Sequence, residues 1–195
     1  MVVIRITRSL ARLSFLLTLA IASATAAPTG APSIDVHVER SGDTVVIACS
    51  ASLQADAATA WSVLTDYARY RNFIPGVQAS RVVARRGTSV VVEQSDELAW
   101  WIWRVPVRVT FEIDESPPAR LHSLARAASW PSLDSTFVLE PSASGIRLDY
   151  IGRIEPGIPM IARLEQPAVE RAAVRDFAAL AAEIGRRSAA ARTAN

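Results

Sequence analysis

The sequence predicts an α+β domain in which a long, curved antiparallel sheet wraps around one C-terminal helix. Most of the chain between residues 34 and 154 alternates apolar and polar side chains with the period of a strand. The period is helical in a short stretch near residue 60, and again from Pro167 to about Arg187. A helix with a single apolar stripe must cover the apolar face of a sheet, so the long helix and the sheet are expected to pack together.

The first part of the domain is predicted as a strand pair followed by two short helices. Residues 34–39 and 44–53 alternate on either side of Ser41-Gly42-Asp43, which is typical of a hairpin turn. Asp56 is suited to cap a short helix directly after it. A second short helical piece follows and ends at Pro75-Gly76.

The central part is predicted as a run of antiparallel strands. The clearest alternation runs from Trp101 to Ile113, where the odd positions are all apolar and the even positions are mostly polar. On the last strand, Gly152 falls on the inward face, where a bare backbone leaves room for a bend or for a ligand. The other predicted strands are residues 77–85, 89–98, 120–127, 133–139 and 146–154.

The N-terminus has the features of an export signal. Arg5, Arg8 and Arg12 precede a short apolar run, and small residues with an Ala-x-Ala pattern follow it. The apolar run is shorter than the roughly 20 residues that a membrane span needs. An uncleaved N-terminal anchor is the alternative. We expect residues 1–26 to be a signal peptide, 27–33 a linker, 34–187 the folded domain and 188–195 a disordered tail, with the mature protein periplasmic or secreted.

The charge balance argues against a nucleic-acid partner, and the cysteine content argues against an internal disulfide. Loss of residues 1–26 removes three of the 21 basic residues and leaves 18 against 19 acidic ones. No clustered basic patch is visible, so a nucleic-acid partner is not expected. Cys49 is the single cysteine, which excludes an internal disulfide. It lies in an apolar strand-like run and is expected to be a buried, inert thiol.

Few residues are candidates for catalysis, and none has the spacing of a metal site. The two histidines, His37 and His122, are far apart in the sequence. His37 alternates with acidic residues and is expected to be exposed, whereas His122 is the one candidate for a general base. No Gly-rich phosphate loop occurs, so no cofactor is expected. The strand carboxylates are expected to be surface ion-pair partners: Glu93, Asp134 and Asp149.

Three of the five tryptophans are concentrated within residues 100–103. Trp101 and Trp103 fall on the apolar face of their strand, where large rings suit either the wall of a hydrophobic tunnel or ordinary core packing. Trp100 is assigned to the opposite face, where an exposed ring would be a candidate for contact with a membrane or a partner.

Two segments carry a family resemblance. Ala55 to Tyr67 contains the elements Trp61, Val63-Leu64-Thr65 and Asp66-Tyr67, and Phe73-Ile74-Pro75 follows. These segments resemble the opening of the START / polyketide-cyclase (SRPBCC) superfamily, and look most like its coenzyme-Q-binding START-domain group. Leu139-Glu140-Pro141, the Arg147-Leu148-Asp149-Tyr150 strand and the long helix agree as well, so the resemblance covers roughly residues 40–187.

The resemblance implies a helix-grip fold with a tunnel between sheet and helix, in which members bind lipids, quinones, polyketides or hormones. The expected function is non-catalytic binding of such a hydrophobic molecule in the envelope of a Gram-negative bacterium. The alternatives are an aromatase/cyclase-type enzyme that uses His122 or a tunnel carboxylate, and an envelope protein-interaction module. The residues expected to line the ligand site are Trp101, Trp103, Val105, Val107, Phe111, Tyr150 and Phe177.

Overall fold

A computed structural model describes residues 33–100, 103–127, 130–155 and 166–194. Within these ranges the chain forms eight strands, two α-helices and one 3-10 helix. In chain order they are β1 (Ile34–Ser41), β2 (Thr44–Leu53), α1 (Ala57–Leu64), the 3-10 helix (Tyr67–Asn72), β3 (Val77–Arg86), β4 (Ser89–Trp100), β5 (Trp103–Ser116), β6 (Arg120–Ala127), β7 (Trp130–Ser142), β8 (Gly145–Glu155) and α2 (Gln166–Ala194).

The eight strands form one antiparallel sheet in the order β1-β2-β8-β7-β6-β5-β4-β3. Consecutive strands pair as hairpins, except that β2 pairs with β8 and so brings the first hairpin next to the last strand. In this ladder Cys49 lies opposite Tyr150, and Ala51 lies opposite Leu148. The sheet is curved and open, with β1 and β3 at its edges, and α2 packs on one face. This is the helix-grip fold that the sequence predicts.

The apolar stripe of α2 lies on one face of the sheet, which we call the inner face; the opposite side is the outer face. Phe177, Leu180 and Ile184 are buried in the same core cluster as the inward residues of the strands. Successive strand residues point to opposite faces, so each strand contributes alternate side chains to this core. The prediction that the odd positions of β5 point inward is confirmed for Phe111 and Ile113, which also belong to the core or pack against it.

The link between β2 and β3 covers one end of the core. Asp56 caps α1, as predicted, because its Oδ1 accepts a hydrogen bond of 2.7 Å from the Thr59 amide. Val63 and Leu64 on α1 are buried, and so is Tyr67 in the 3-10 helix. The cap therefore sets the start of a short helix whose apolar side closes the sheet at this end.

The end of α2 differs from the prediction. The helix extends past the expected end at Arg187, so the segment predicted as a disordered tail is helical up to Ala194. Residues after Gly185 include neither glycine nor proline, and the alanine-rich sequence favours helix. Ser188 is buried, and the Arg192 guanidinium donates to the Gln54 carbonyl at 3.1 Å. These contacts hold the last turns against the rest of the domain.

The edge strand β3 is much more exposed than the inner strands. Val82 and Val83 are 42% and 41% exposed. Its ladder with β4 is interrupted twice, between Val77 and Ala79 and between Val82 and Ala84. Such irregularities bend a strand and leave a residue without its ladder partner.

Candidate functional site

The space between α2 and the inner face is tightly filled at the end near α1. Ala181 and Ile184 on α2 have no exposed surface, and the same is true of Leu148 on β8 and Val63 on α1. Leu64 is 1% exposed. This end is therefore ordinary core, with no room for a ligand.

Toward the other end of α2 the inner face is less completely covered. Val169 and Ala173 are half-buried, although they continue the stripe that includes the buried Phe177. On the sheet, Tyr150 and Ile154 are half-buried, and Phe111 is half-buried as well. Apolar side chains that point inward but keep exposed surface show that the inner face is incompletely covered in this region. We take this region as the candidate site.

The first residue of α2 fixes the position of this half of the helix. The Gln166 side-chain amide donates to the Val38 carbonyl on β1 at 2.7 Å. Val38 lies on the same cross-strand row as Ile47 and Gly152. The N-terminal half of α2 is therefore fixed at the β1 side of the sheet.

The structure places three of the predicted site residues on the two sides of this region. Phe111 and Tyr150 are on the inner face and half-buried, and Phe177 on α2 is 5% exposed. Phe177 therefore belongs mainly to the packed core. Trp101 lies outside the described residues. For three predicted residues the structure describes the backbone but not the side chain, so their part in the site stays a prediction: Trp103, Val105 and Val107.

Trp100 is the last residue of β4 and is paired with Trp103, the first residue of β5. The structure describes the backbone of these two residues but not their side chains, so the assignment of Trp100 to the opposite face stays a prediction.

The inner face also carries buried hydroxyl groups. Ser123 and Ser135 are 6% and 4% exposed, lie opposite each other in the β6–β7 ladder, and share a hydrogen bond of 2.7 Å between their Oγ atoms. Burial raises the pKa of Tyr150 to about 12, and the effect of the Ser135 hydroxyl opposes that shift. The phenol is therefore neutral at physiological pH.

The inward position of Gly152 is confirmed, but the space beside it is occupied. A Cβ atom built on Gly152 would lie 2.5 Å from the Tyr150 Oη and 2.9 Å from its Cζ. The Tyr150 ring therefore lies over the bare backbone of its own strand. Gly152 sits opposite Ser135 in the ladder, which places the phenol near that hydroxyl.

A buried carboxylate that the sequence analysis missed lies at the end of β5. Glu115 is 9% exposed, and its Oε1 accepts a hydrogen bond of 2.8 Å from the Tyr67 phenol. The Arg85 guanidinium donates to both carboxylate oxygens, at 2.8 and 3.2 Å. Burial raises the pKa of Tyr67, and the bond to Glu115 adds to this. The cluster ties the 3-10 helix and the edge strand β3 to the inner face.

His122, the candidate general base, lies on the outer face of the sheet and not on the inner face beneath α2. His122 alternates with the buried Leu121 and Ser123, and therefore points to the outer face. Its Nε2 lies 2.9 Å from Oδ1 of Asp134 on the neighbouring strand. The sheet separates it from the space beneath α2, and we conclude that His122 is a surface residue. His37 is also exposed, as predicted.

The other predicted surface carboxylates form ion pairs with arginine. Glu93 accepts from Arg81 on the adjacent strand, and Asp149 accepts from Arg147 at 2.8 Å. Both acids point to the outer face, since they alternate with buried residues. These predictions are confirmed, and neither carboxylate faces the space beneath α2.

The outer face carries a shallow groove of about 320 Å³ across β1, β2, β8 and β7. Asp35 and His37 line one side, and Ile151 and Asp149 lie on the strand across from them. Cys49 borders the groove but is 4% exposed, and burial raises the pKa of its thiol to about 11, with a further contribution from Asp35. The prediction of a buried, unreactive thiol agrees with this position.

Within the part of the chain that the structure describes, no group of three or more histidine, cysteine, aspartate or glutamate side chains is arranged to hold a metal ion. No helix within the same ranges is both long enough and apolar enough to cross a bilayer.

The family assignment rests on a sequence match as well as on the fold. The model of the family described as polyketide cyclase / dehydrase and lipid transport matches residues 53–179. The chain belongs to this family. The match begins at the last residue of β2 and includes β3 to β8 as well as Phe177 on α2. No significant match was found among curated protein sequences.

Solved structures of other proteins share the fold of this chain. A STAR-related lipid transfer protein fragment from Xanthomonas axonopodis has 19% identity, covers 80% of this chain and 99% of its own, and gives a TM-score of 0.62. The Zhui aromatase/cyclase from Streptomyces sp. R1128 has 18% identity, with 77% and 96% covered and a TM-score of 0.63. A START superfamily protein from Mycobacterium smegmatis has 16% identity, with 76% and 99% covered and a TM-score of 0.52. At these identities the comparison shows a shared fold.

Proposed function

We propose that this protein binds a hydrophobic small molecule between the inner face of the sheet and the N-terminal half of α2, without catalysing a reaction. The observation that carries the proposal is the change in packing along α2. Ile184 is completely buried, whereas Val169 and Ala173 in the N-terminal half of α2 are half-buried, and so are Phe111 and Tyr150 on the inner face of the sheet. Apolar surface that the protein does not cover itself can be covered by an apolar ligand, which is the driving force for binding.

The comparisons support ligands of this class. The family description combines polyketide cyclases and dehydrases with lipid transport. One structure with the same fold is called a lipid transfer protein and another an aromatase/cyclase. A quinone, a lipid or a polyketide-like molecule is therefore the proposed ligand, and the resemblance to the coenzyme-Q-binding group favours a quinone among these.

The positions of the acid–base groups favour binding over catalysis. His122 points away from the proposed site and pairs with Asp134. Glu115 does point inward, but Arg85 and Tyr67 already occupy its two oxygens. A general base must reach the proton that it removes, within roughly 3 Å or through one water. Neither group meets this requirement for a ligand held beneath α2.

The proposal can be tested with a variant that fills the site. Ala173→Phe places a ring in the half-covered space, whereas Val174→Phe places the same ring at the next position, which is 42% exposed. Each protein would be purified from its native host and extracted with organic solvent, and the extract analysed by mass spectrometry. We expect a hydrophobic compound with the wild type and Val174→Phe, and its loss with Ala173→Phe. Retention of the compound by folded Ala173→Phe would contradict the proposed site.

We further propose that the protein acts in the cell envelope after export. The basic N-terminus, short apolar run and Ala-x-Ala pattern support this. N-terminal sequencing of protein from a periplasmic extract is expected to begin at Ala27 or within a residue or two of it. Periplasmic protein that begins at Met1 would contradict cleavage at this site.

A further inference from the structure

We propose that the outer end of the β4–β5 hairpin docks the protein on the surface of a lipid bilayer, at the level where the headgroups meet the hydrocarbon. This surface, which we call the hairpin end, consists of residues 97–100 and 103–106. The proposal goes beyond the proposed function, because attachment to a membrane requires neither a bound ligand nor removal of the N-terminus.

The register of the sheet shows that the hairpin end extends beyond both neighbouring strands. Toward this end, Asp96 is the last residue of β4 that pairs with β3, and Thr110 is the last residue of β5 that pairs with β6. The two strands continue to pair with each other as far as Trp100 and Trp103. The four outermost pairs therefore form a two-stranded ribbon about 13 Å long, with no other described strand beside it.

The sequence of the hairpin end is apolar for a part of the sheet in this position. Six of its eight residues are apolar, and the other two, Glu97 and Arg104, have opposite charges. A two-stranded ribbon is only marginally stable on its own in water and has no further strand to cover it. Among the described elements, α2 packs mainly against β1, β2 and α1, near the other edge of the sheet. This composition therefore favours an apolar partner outside the chain.

Tryptophan is concentrated at the same end of the molecule. Trp100 and Trp103 form the last pair of the ribbon, and Trp130 forms the last pair between β7 and β6. The antiparallel order places these two strand connections at one end of the sheet, whereas Trp61 lies on α1 at the opposite end. Tryptophan is enriched where membranes meet water, because its ring is apolar and its N–H needs a polar partner. This residue type favours a bilayer over a second copy of the chain.

The backbone of the ribbon limits how deeply it can enter a bilayer. Each strand of a two-stranded ribbon pairs on one side only, and the backbone groups on its other side need water or another partner. Such groups are costly in the hydrocarbon interior, where only helices and closed barrels satisfy all of them. The hairpin end is therefore suited to the interface, where water still reaches the backbone.

The charges near this end do not favour an anionic surface. Arg153 and Asp134 are exposed partners in the β7–β8 ladder, and the exposed Glu155 ends β8. Anionic lipids attract clusters of basic residues, whereas the described charges here include both signs. The partner that fits is therefore a neutral, zwitterionic bilayer, held by apolar residues.

The hairpin end also lies at the end of the sheet where the inner face is incompletely covered. Gln166 begins α2 and donates to Val38 on β1, and Val169 one turn later is half-buried. Ile154, near the end of β8, is half-buried as well. Docking by this end would place the candidate site beside the bilayer, which is a source of hydrophobic molecules.

The proposal can be tested by sedimentation of the full-length mature protein with phosphatidylcholine vesicles. Trp100→Ala and Trp130→Ala remove rings at the docking end, and Trp61→Ala is the matched control at the opposite end. Ala99→Asp adds a charge to the ribbon, and Ala84→Asp adds the same charge to the exposed edge strand β3. Denaturation midpoints would verify that each variant is folded.

We expect the wild type to bind these vesicles, with an affinity that changes by less than about threefold when phosphatidylglycerol is added. Trp100→Ala, Trp130→Ala and Ala99→Asp should each weaken binding by about three- to tenfold, because each reduces the apolar surface that the bilayer covers. Both controls should stay within about twofold of the wild type, since they lie away from this surface.

Lipids that carry bromine atoms test the depth, because bromine quenches nearby tryptophan fluorescence. In a Trp61→Phe background the four remaining tryptophans all lie within residues 100–130 of the sequence. Bromine near the headgroup should quench their fluorescence more than bromine near the ends of the acyl chains. Stronger quenching by the deeper bromines would overturn the interfacial position.

Other outcomes would overturn docking itself. These are no sedimentation of the wild type, binding only to anionic vesicles, or an equal loss with Trp61→Ala. A dimer that Trp100→Ala dissociates, without vesicle binding, would assign this surface to a second copy instead. Ala173→Phe, which fills the proposed ligand site, should bind vesicles as the wild type does. The two claims are thus separable: the absence of an extracted compound contradicts only the proposed function, and the absence of vesicle binding contradicts only docking.

Discussion

Replacement of Gly152 by alanine should destabilise the protein because the new methyl group would collide with the Tyr150 ring. This cost should disappear when the ring is removed. The new Cβ would lie 2.5 Å from the Tyr150 Oη, 2.9 Å from Cζ and 3.1 Å from Cε1. Carbon atoms in favourable contact are about 3.5–4.0 Å apart, so the tip of the ring must move by roughly 1 Å. Phe137 contacts the ring and restricts this movement.

The magnitude follows from two opposing effects. Forcing an extra methyl group against a packed side chain costs about 1–3 kcal/mol. Gly152 does not have a positive φ, so alanine fits its backbone and should gain about 0.4–1 kcal/mol from a less flexible unfolded chain. The expected net result for Gly152→Ala is a destabilisation of about 0.5–2 kcal/mol.

A double-mutant cycle tests the reasoning. In a Tyr150→Leu background the obstructing ring is absent, and Gly152→Ala should be neutral or stabilising by about 0.5 kcal/mol. Urea denaturation of the four proteins gives the coupling energy directly. An equal cost of Gly152→Ala in both backgrounds would refute the role of the ring and locate the strain in the backbone.

Other expected outcomes concern charges. Glu115→Gln should destabilise the protein by about 2 kcal/mol, because it removes the buried partner of a guanidinium and a phenol. Glu93→Gln, which breaks an exposed pair, should cost less than about 1 kcal/mol, and an equal urea midpoint for the two variants would contradict the assigned burial. His122→Ala should leave the affinity for a hydrophobic fluorescent probe within about twofold of the wild-type value. Loss of an activity on a polyketide-like substrate in this variant would instead support an enzyme. Hydrogen bonding from Arg186 lowers the pKa of Glu183 to about 2, so its stabilisation is complete above the unfolded pKa and is lost as pH falls from about 4.5 to about 2. Glu183→Gln should flatten the acid limb of the stability profile over this range, by roughly 2 kcal/mol, and an unchanged profile would contradict the shift.

The period-2 pattern of the strands was sufficient to predict the inner face where both faces are chemically distinct. On β5 the apolar odd positions identify Phe111 and Ile113 as inward, and the structure agrees. On β6 the pattern was ambiguous, because the inward Ser123 is polar and Leu124 on the outer face is apolar. Only the pairing of Ser123 with Ser135 explains why a serine is buried there, and a partner on another strand is not visible in the local sequence.

The buried cluster at Glu115 shows a second limit of sequence reading. Glu115 lies two residues after Ile113 and continues the odd-numbered positions of β5, which point inward. An acidic residue at a strand end is usually solvated, so alternation alone does not identify Glu115 as buried. Its partners, Tyr67 and Arg85, are 48 and 30 residues away, and only the fold brings them to it. The tunnel beneath α2 is likewise a prediction from the resemblance, since periodicity does not distinguish a packed inner face from an open one.

The exposed edge strand β3 has a consequence for solubility. A wide sheet that stays open presents unpaired backbone groups along its outermost strand, and a straight edge of this kind is a template for aggregation. Here the ladder is broken at two places, and the strand carries Arg81, Arg85 and Arg86. A second copy that paired with this edge to extend the sheet would meet a bent backbone and several bulky charged side chains. The protein therefore keeps an open sheet while giving fibre growth a poor starting surface.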